Sequence, residues 1–153
     1  MNEVVTIRIA TLSDLSAVAN LFDAYRQFYE QAPDMGLANE FIRARMKNSE
    51  SVILLALDAA GAAIGFCQLY PSFCSVEAKP IYVLYDLFVA PKGRRTGAGT
   101  ALLRAAEATA RANGKARMDL TTAKTNTAAQ AAYELLGWVR DEVFFAYSKT
   151  LSA

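Results

Sequence analysis

The chain has 153 residues, 54% of them apolar, with 16 basic against 15 acidic side chains and a net charge of +1. These numbers suit one compact domain over 1–153 with a sizeable core, and they exclude the broad basic field that nucleic acid would need. With no histidine, Ser-His-Asp and Cys-His catalysis are excluded and no nitrogen ligands remain for zinc, so no metal is expected.

In chain order, the first strand is expected over 4–9, where Val5, Ile7 and Ile9 alternate with Thr6 and Arg8. Arg8 and Asp14 interrupt any signal-peptide core, and no apolar stretch approaches the roughly 20 residues of a membrane helix, so a cytoplasmic location with no membrane partner is expected. Thr11 and Asp14 have capping-box spacing, and Leu15, Val18, Ala19, Phe22 and Tyr25 then recur on one helical face until Pro33, Asp34 and Gly36 break it. A short helix over 37–47 precedes strands at 52–57 and 64–70, which form a hairpin across Ala60 and Gly61. Residues 81–89 form the central strand. The helix after Gly97 repeats Leu102, Leu103, Ala106 and Ala110 and ends at Asn113 and Gly114. Met118 and Leu120 mark another strand, a helix runs over 127–136 to stop at Gly137, and 143–149 reads as a final aromatic strand. The order implies an α/β layer, helices on a mixed sheet. Cys67 and Cys74 are too few for a disulfide scaffold and are expected to be reduced.

Two segments carry chemistry. Residues 89–103 read V-A-P-K-G-R-R-T-G-A-G-T-A-L-L, a strand end, a basic glycine turn and the start of a helix. Gly97 and Gly99 put no side chain between ligand and main chain, and the helix start aims free amides and a positive dipole end outward, a candidate pyrophosphate cradle. A Walker A loop is excluded because Thr100 follows Gly99 with no lysine between, and a Rossmann turn because Leu102 stands where its third glycine would. The second segment, 126–138, reads N-T-A-A-Q-A-A-Y-E-L-L-G-W.

Together the two segments resemble the GNAT superfamily of acyl-CoA-dependent N-acetyltransferases, over essentially the whole chain. The resemblance implies a mixed, mostly antiparallel central sheet with a splayed parallel pair of central strands. It implies that the Arg94-x-x-Gly97-x-Gly99 turn, with Arg95, Thr96, Ala98 and Thr100, holds the pyrophosphate of acetyl-CoA. It implies that Leu87, Phe88 and Val89 line the pantetheine, and that Asn126, Ala129 and Tyr133 contact the cofactor. Tyr133 matches the family's general acid, although an aromatic packed against the sheet reads the same way, and Asn126 before Thr127 is also a good helix N-cap.

Asp86 is the candidate base, because it interrupts the strand Y-V-L-Y-D-L-F-V, where an unpaired buried charge is expensive. By alternation it shares a face with Tyr82, Leu84 and Phe88; a structural carboxylate is the competing account. Many relatives carry glutamate immediately before it where this chain has Tyr85, which leaves a water-relayed route open. Acceptor selection is expected from Tyr25, Phe28, Tyr29, Tyr70, Phe73 and Tyr85, around Asp34 and in a loop over 70–79, with Arg26 suited to an acceptor carboxylate. The activity implied is acetyl transfer from acetyl-CoA to a primary amine, in a homodimer. Polyamines, amino-acid-like amines, aminoglycosides and lysines all fit. An acyl-CoA sensor without turnover, a small kinase and an interaction domain with an aromatic edge strand are the alternatives.

Overall fold

The computed structural model describes residues 4–152. The chain falls into two compact units, Met1–Thr121 and Thr122–Ala153.

The first unit is a five-stranded sheet in the order β1-β2-β3-β4-β5 with three helices: β1 Thr6–Ile9, α1 Leu15–Phe28, α2 Met35–Lys47, β2 Val52–Leu57, β3 Ala63–Cys74, β4 Lys79–Val89, α3 Ala98–Ala112 and β5 Met118–Asp119. The first three neighbouring pairs are antiparallel and the last, β4 with β5, is parallel. Chain entry into α1 is through a short 3₁₀ turn at Leu12–Asp14, where the Asp14 carboxylate accepts the Thr11 N–H at 2.8 Å and the Arg8 guanidinium at 2.7 and 2.8 Å. One face of the sheet buries Ile53, Leu55, Phe66 and Phe88 against Val18, Leu21 and Phe22 of α1 and Ala38 and Ile42 of α2. The other carries α3, whose apolar stripe of Leu102, Leu103, Ala106 and Ala110 is buried.

Two features correct the sequence reading here. Most of residues 70–79 is not a loop, because β3 continues through Cys74, pairs Tyr70 with Val83 and Cys74 with Lys79, and leaves only 75–78 as the turn. Pro71 and Pro80 conceal this extension, since proline withholds a ladder donor and is unusual within paired strands. Asp86 also does not share a face with Tyr82 and Leu84. The register shifts between Gln68, which pairs with Asp86, and Leu69, which pairs with Leu84, leaving Tyr85 as an extra residue. Above the bulge, Asp86 and Phe88 face α1; below it, Tyr82 faces α3, where its hydroxyl accepts a 2.7 Å hydrogen bond from Asn113.

The second unit contains α4, Thr127–Leu135, followed by chain without regular secondary structure among the described residues. Among the described residues 143–149 form no strand. A strand needs a hydrogen-bonded partner, and this unit holds none. The segment begins instead in a turn at Asp141, whose carboxylate accepts the N–H groups of Val143 and Phe144 at 3.1 and 3.0 Å.

Candidate active site

At the end of β4 the chain makes a 3₁₀ turn, Pro91–Gly93, and then the glycine loop. Gly93 is there for packing: an added Cβ would lie 2.7 Å from the Cβ of Ile64. Gly97 is there for backbone, at φ +84°, in the left-handed region that glycine enters freely. Gly99 answers to neither need. Its φ is ordinary, and a Cβ would meet only the Val89 side chain at 3.9 Å. Arg95 also takes a positive φ of 64°, a strain of order 1 kcal/mol for a side-chain-bearing residue. The Thr96 hydroxyl donates to the Gly93 carbonyl and accepts the Ala98 N–H at 3.3 Å, while Arg94 Nε folds back on the Val89 carbonyl at 3.2 Å. Among the described residues, the amides of Arg95, Thr96, Gly97, Gly99 and Thr100 donate to no protein acceptor. Beside this loop, β5 pairs only with Tyr82 and Val83 of β4, so from Leu84 to Val89 that edge of β4 has no paired strand in this unit.

The bulge assembles a second group. Tyr85 is 68% exposed and its ring meets Tyr70 edge-on at 5.7 Å. Asp86 is 5% exposed, and its Oδ2 accepts a 2.7 Å hydrogen bond from the Nε2 of Gln68, itself 0% exposed. From α1, the Tyr25 hydroxyl reaches the Tyr85 carbonyl at 3.5 Å, and its ring lies edge-on to Tyr29, Phe66 and Phe88. Phe28 adds contacts to Tyr29 and Phe88. Burial raises the Asp86 carboxyl above its ordinary range, against the opposing pull of hydrogen bonds from Gln68 and Tyr25. Burial, then the charge of Asp86, pushes the Tyr70 hydroxyl up to about 12, and the same two effects raise Tyr25. Five of the six expected acceptor residues thus cluster around Asp86; Phe73, at 75% exposure, makes no ring contact with them among the described residues.

In the second unit, Asn126 caps α4, its Oδ1 accepting the Ala129 N–H at 3.3 Å. Gln130 Nε2 ties the helix back to the carbonyls of Ala123 and Lys124 at 3.0 and 3.1 Å. Ala129, Tyr133 and Leu136 form the half-buried side of this segment with Trp138, whose ring centroid is 6.1 Å from that of Tyr133.

Over residues 15–138 the sequence matches the Acetyltransferase (GNAT) family. The chain belongs to the GNAT acetyltransferase family. It is similar to YhfO of Bacillus subtilis (strain 168), an uncharacterized N-acetyltransferase, at 47% identity over 147 residues, 96% of this chain and 98% of the relative. The aminoglycoside N(6')-acetyltransferase type 1 of Klebsiella aerogenes is 32% identical over 103 residues, 65% of this chain and 66% of its own. A solved structure named as a "probable acetyltransferase" aligns with TM-score 0.90 at 38% identity, over 97% of this chain and 99% of that one.

Sequence reasoning missed three residues in this GNAT chain. Ser51, Gln68 and Asp86 form one hydrogen-bonded row with Gln68 in the middle; the signal was a glutamine inside the apolar run I-G-F-C-Q-L-Y, as anomalous as the aspartate it meets. Asp23, buried in α1, accepts Arg26 Nη1 at 2.7 Å, Gln27 Nε2 at 3.2 Å and the Asp34 N–H at 3.1 Å, and so stakes down the loop between α1 and α2. Arg26 is thereby committed to Asp23 and the Ala32 carbonyl rather than to an acceptor, and Asp34 caps α2 through the Leu37 N–H at 3.0 Å.

Proposed function

We propose that this protein moves an acetyl group from acetyl-CoA to a primary amine, small, polyamine-like or lysine-like, by direct attack in a ternary complex without a covalent acyl-enzyme. The observation that carries this reading is the row of undonated amides around Gly97 and Gly99, beside a glycine whose missing side chain nothing else in the fold requires. Donors converging at a helix N-terminus suit the pyrophosphate of coenzyme A, and residues 94–100 fit that group. Leu87, Phe88 and Val89, on the open edge of β4, would meet the pantetheine amides as an added strand would. A main-chain N–H there would also stabilise the charge that grows on the acetyl oxygen during attack, worth about 3 kcal/mol in acyl-transfer sites.

The reaction moves two protons. In this reading Asp86 takes one from the incoming ammonium, directly or through water, and its raised carboxyl pKa makes it a stronger proton acceptor than an ordinary aspartate. Tyr133 supplies the other to the departing thiolate, with Asn126 and Ala129 beside the donor. The rings of Tyr25, Phe28, Tyr29, Tyr70 and Tyr85 around Asp86 suit a cationic amine, with Phe73 at the margin. The chain acts as one domain in the cytoplasm, in a homodimer that covers the exposed Val143, Phe144, Phe145 and Tyr147; a monomer mass at sedimentation equilibrium would remove the dimer.

Free-thiol release from acetyl-CoA, read with a thiol-reactive dye across polyamines, amino acids, aminoglycosides and lysine peptides, tests the proposal. Amine-dependent release is expected. Binding of ATP in place of acetyl-CoA would overturn it.

A further inference from the structure

Gln68 is fully buried at mid-strand, where an apolar residue would cost nothing in desolvation. Its two amide ends are both engaged: Nε2 donates to Asp86 Oδ2 at 2.7 Å, and Oε1 accepts the Ser51 hydroxyl at 2.7 Å. This orientation is self-consistent. An ionised carboxylate only accepts, so the amide must turn its NH₂ toward Asp86, which leaves its oxygen facing a hydroxyl that can donate. Asp86 makes no ion pair among the described residues, and its short hydrogen bond, 2.7 Å, comes from the neutral Gln68.

We propose that Gln68 is a positioning residue for Asp86, its amide locked by Ser51 so that a neutral donor is always presented to the carboxylate. The inference rests on the reading of Asp86 as the base. A neutral partner suits a base better than a cation does. An arginine in that place would hold the carboxyl low and weaken it as a proton acceptor, whereas no donor at all would leave it protonated in the apolar interior. The titratable groups that face Asp86 from neighbouring elements are Tyr25 of α1 and Tyr70 of β3; Cys67, on the opposite face of β3, feels its charge at longer range, and Tyr85 on its own strand acts on both tyrosines. Burial pushes Cys67 and Tyr70 to about 12 and raises Tyr25 as well, so these three stay neutral while Asp86 titrates.

The test is a ¹³C NMR titration of protein labelled at the aspartate carboxyl carbons, with Asp86 assigned by its absence in Asp86→Asn. Gln68→Met keeps the volume and removes the donor. The Asp86 midpoint is expected to rise by about one unit, a tenfold change in acid constant. Ser51→Ala, at a half-buried site, should move it the same way by less, and serves alone if the core variant does not fold. Midpoints equal to wild type would overturn the inference, whatever Asp86 does in catalysis. The base reading fails separately, if Asp86→Asn releases thiol as fast as wild type with the most active amine of the panel.

Discussion

At the scale of single residues, the buried Asp86 sets its proposed role as base against stability. Its carboxyl, ordinarily near 3.8, is raised in the folded chain because burial outweighs the bonds from Gln68 and Tyr25. The folded state then holds this proton more tightly than the unfolded one. Stability is fullest below the ordinary value and falls as pH rises from there to the raised one. Asp86→Asn should therefore raise Tm at pH 8, with the gain vanishing below about pH 4, as followed by calorimetry. The same variant should lose roughly 10² to 10³ in kcat/KM. A loss of both stability and activity would mark Asp86 as a structural carboxylate. Tyr133→Phe tests the other proton: turnover of the folded variant should fall by roughly 10²-fold, and wild-type turnover would hand the acid role to water.

At the scale of elements, the loop before α3 contains glycines that answer to different demands, and substitution should separate them. Gly93→Ala brings a Cβ to 2.7 Å from Ile64, so it should cost about 1–3 kcal/mol of stability. Gly99→Val meets no backbone; it should fold normally and raise the KM for acetyl-CoA steeply, while unchanged kinetics would remove the loop from the site. This loop and α3 were legible in the sequence because glycine, helix period and capping act locally. The bulge at Tyr85 was not. Nothing in Y-V-L-Y-D-L-F-V marks it, since it arises from the pairing of Gln68 with Asp86 and Leu69 with Leu84, partners distant in sequence. Alternation therefore gave Asp86 two wrong facial neighbours, Tyr82 and Leu84, and one right one, Phe88. The expected strand over 143–149 failed for a related reason: β-branched and aromatic residues favour a strand, but a strand forms only against a partner, and none is described within its own unit.

At the scale of the whole molecule, the two family segments fall in different compact units, the glycine loop in Met1–Thr121 and the Asn126 to Trp138 helix in Thr122–Ala153. The family match over 15–138 spans both. If both serve one donor molecule, acetyl-CoA binding should stabilise the chain as a whole. At a ligand concentration about 100 times Kd the gain is roughly 2.7 kcal/mol, or some 5–10 °C in Tm for a chain of this size. Both Gly99→Val and Asn126→Ala should shrink that shift at fixed acetyl-CoA, since each weakens the same Kd. Asn126→Ala also removes the cap on α4, so its ligand-free Tm is the reference from which its shift is measured. A full shift in Asn126→Ala together with none in Gly99→Val would confine donor binding to the first unit and leave Tyr133 without its assigned place beside the thioester.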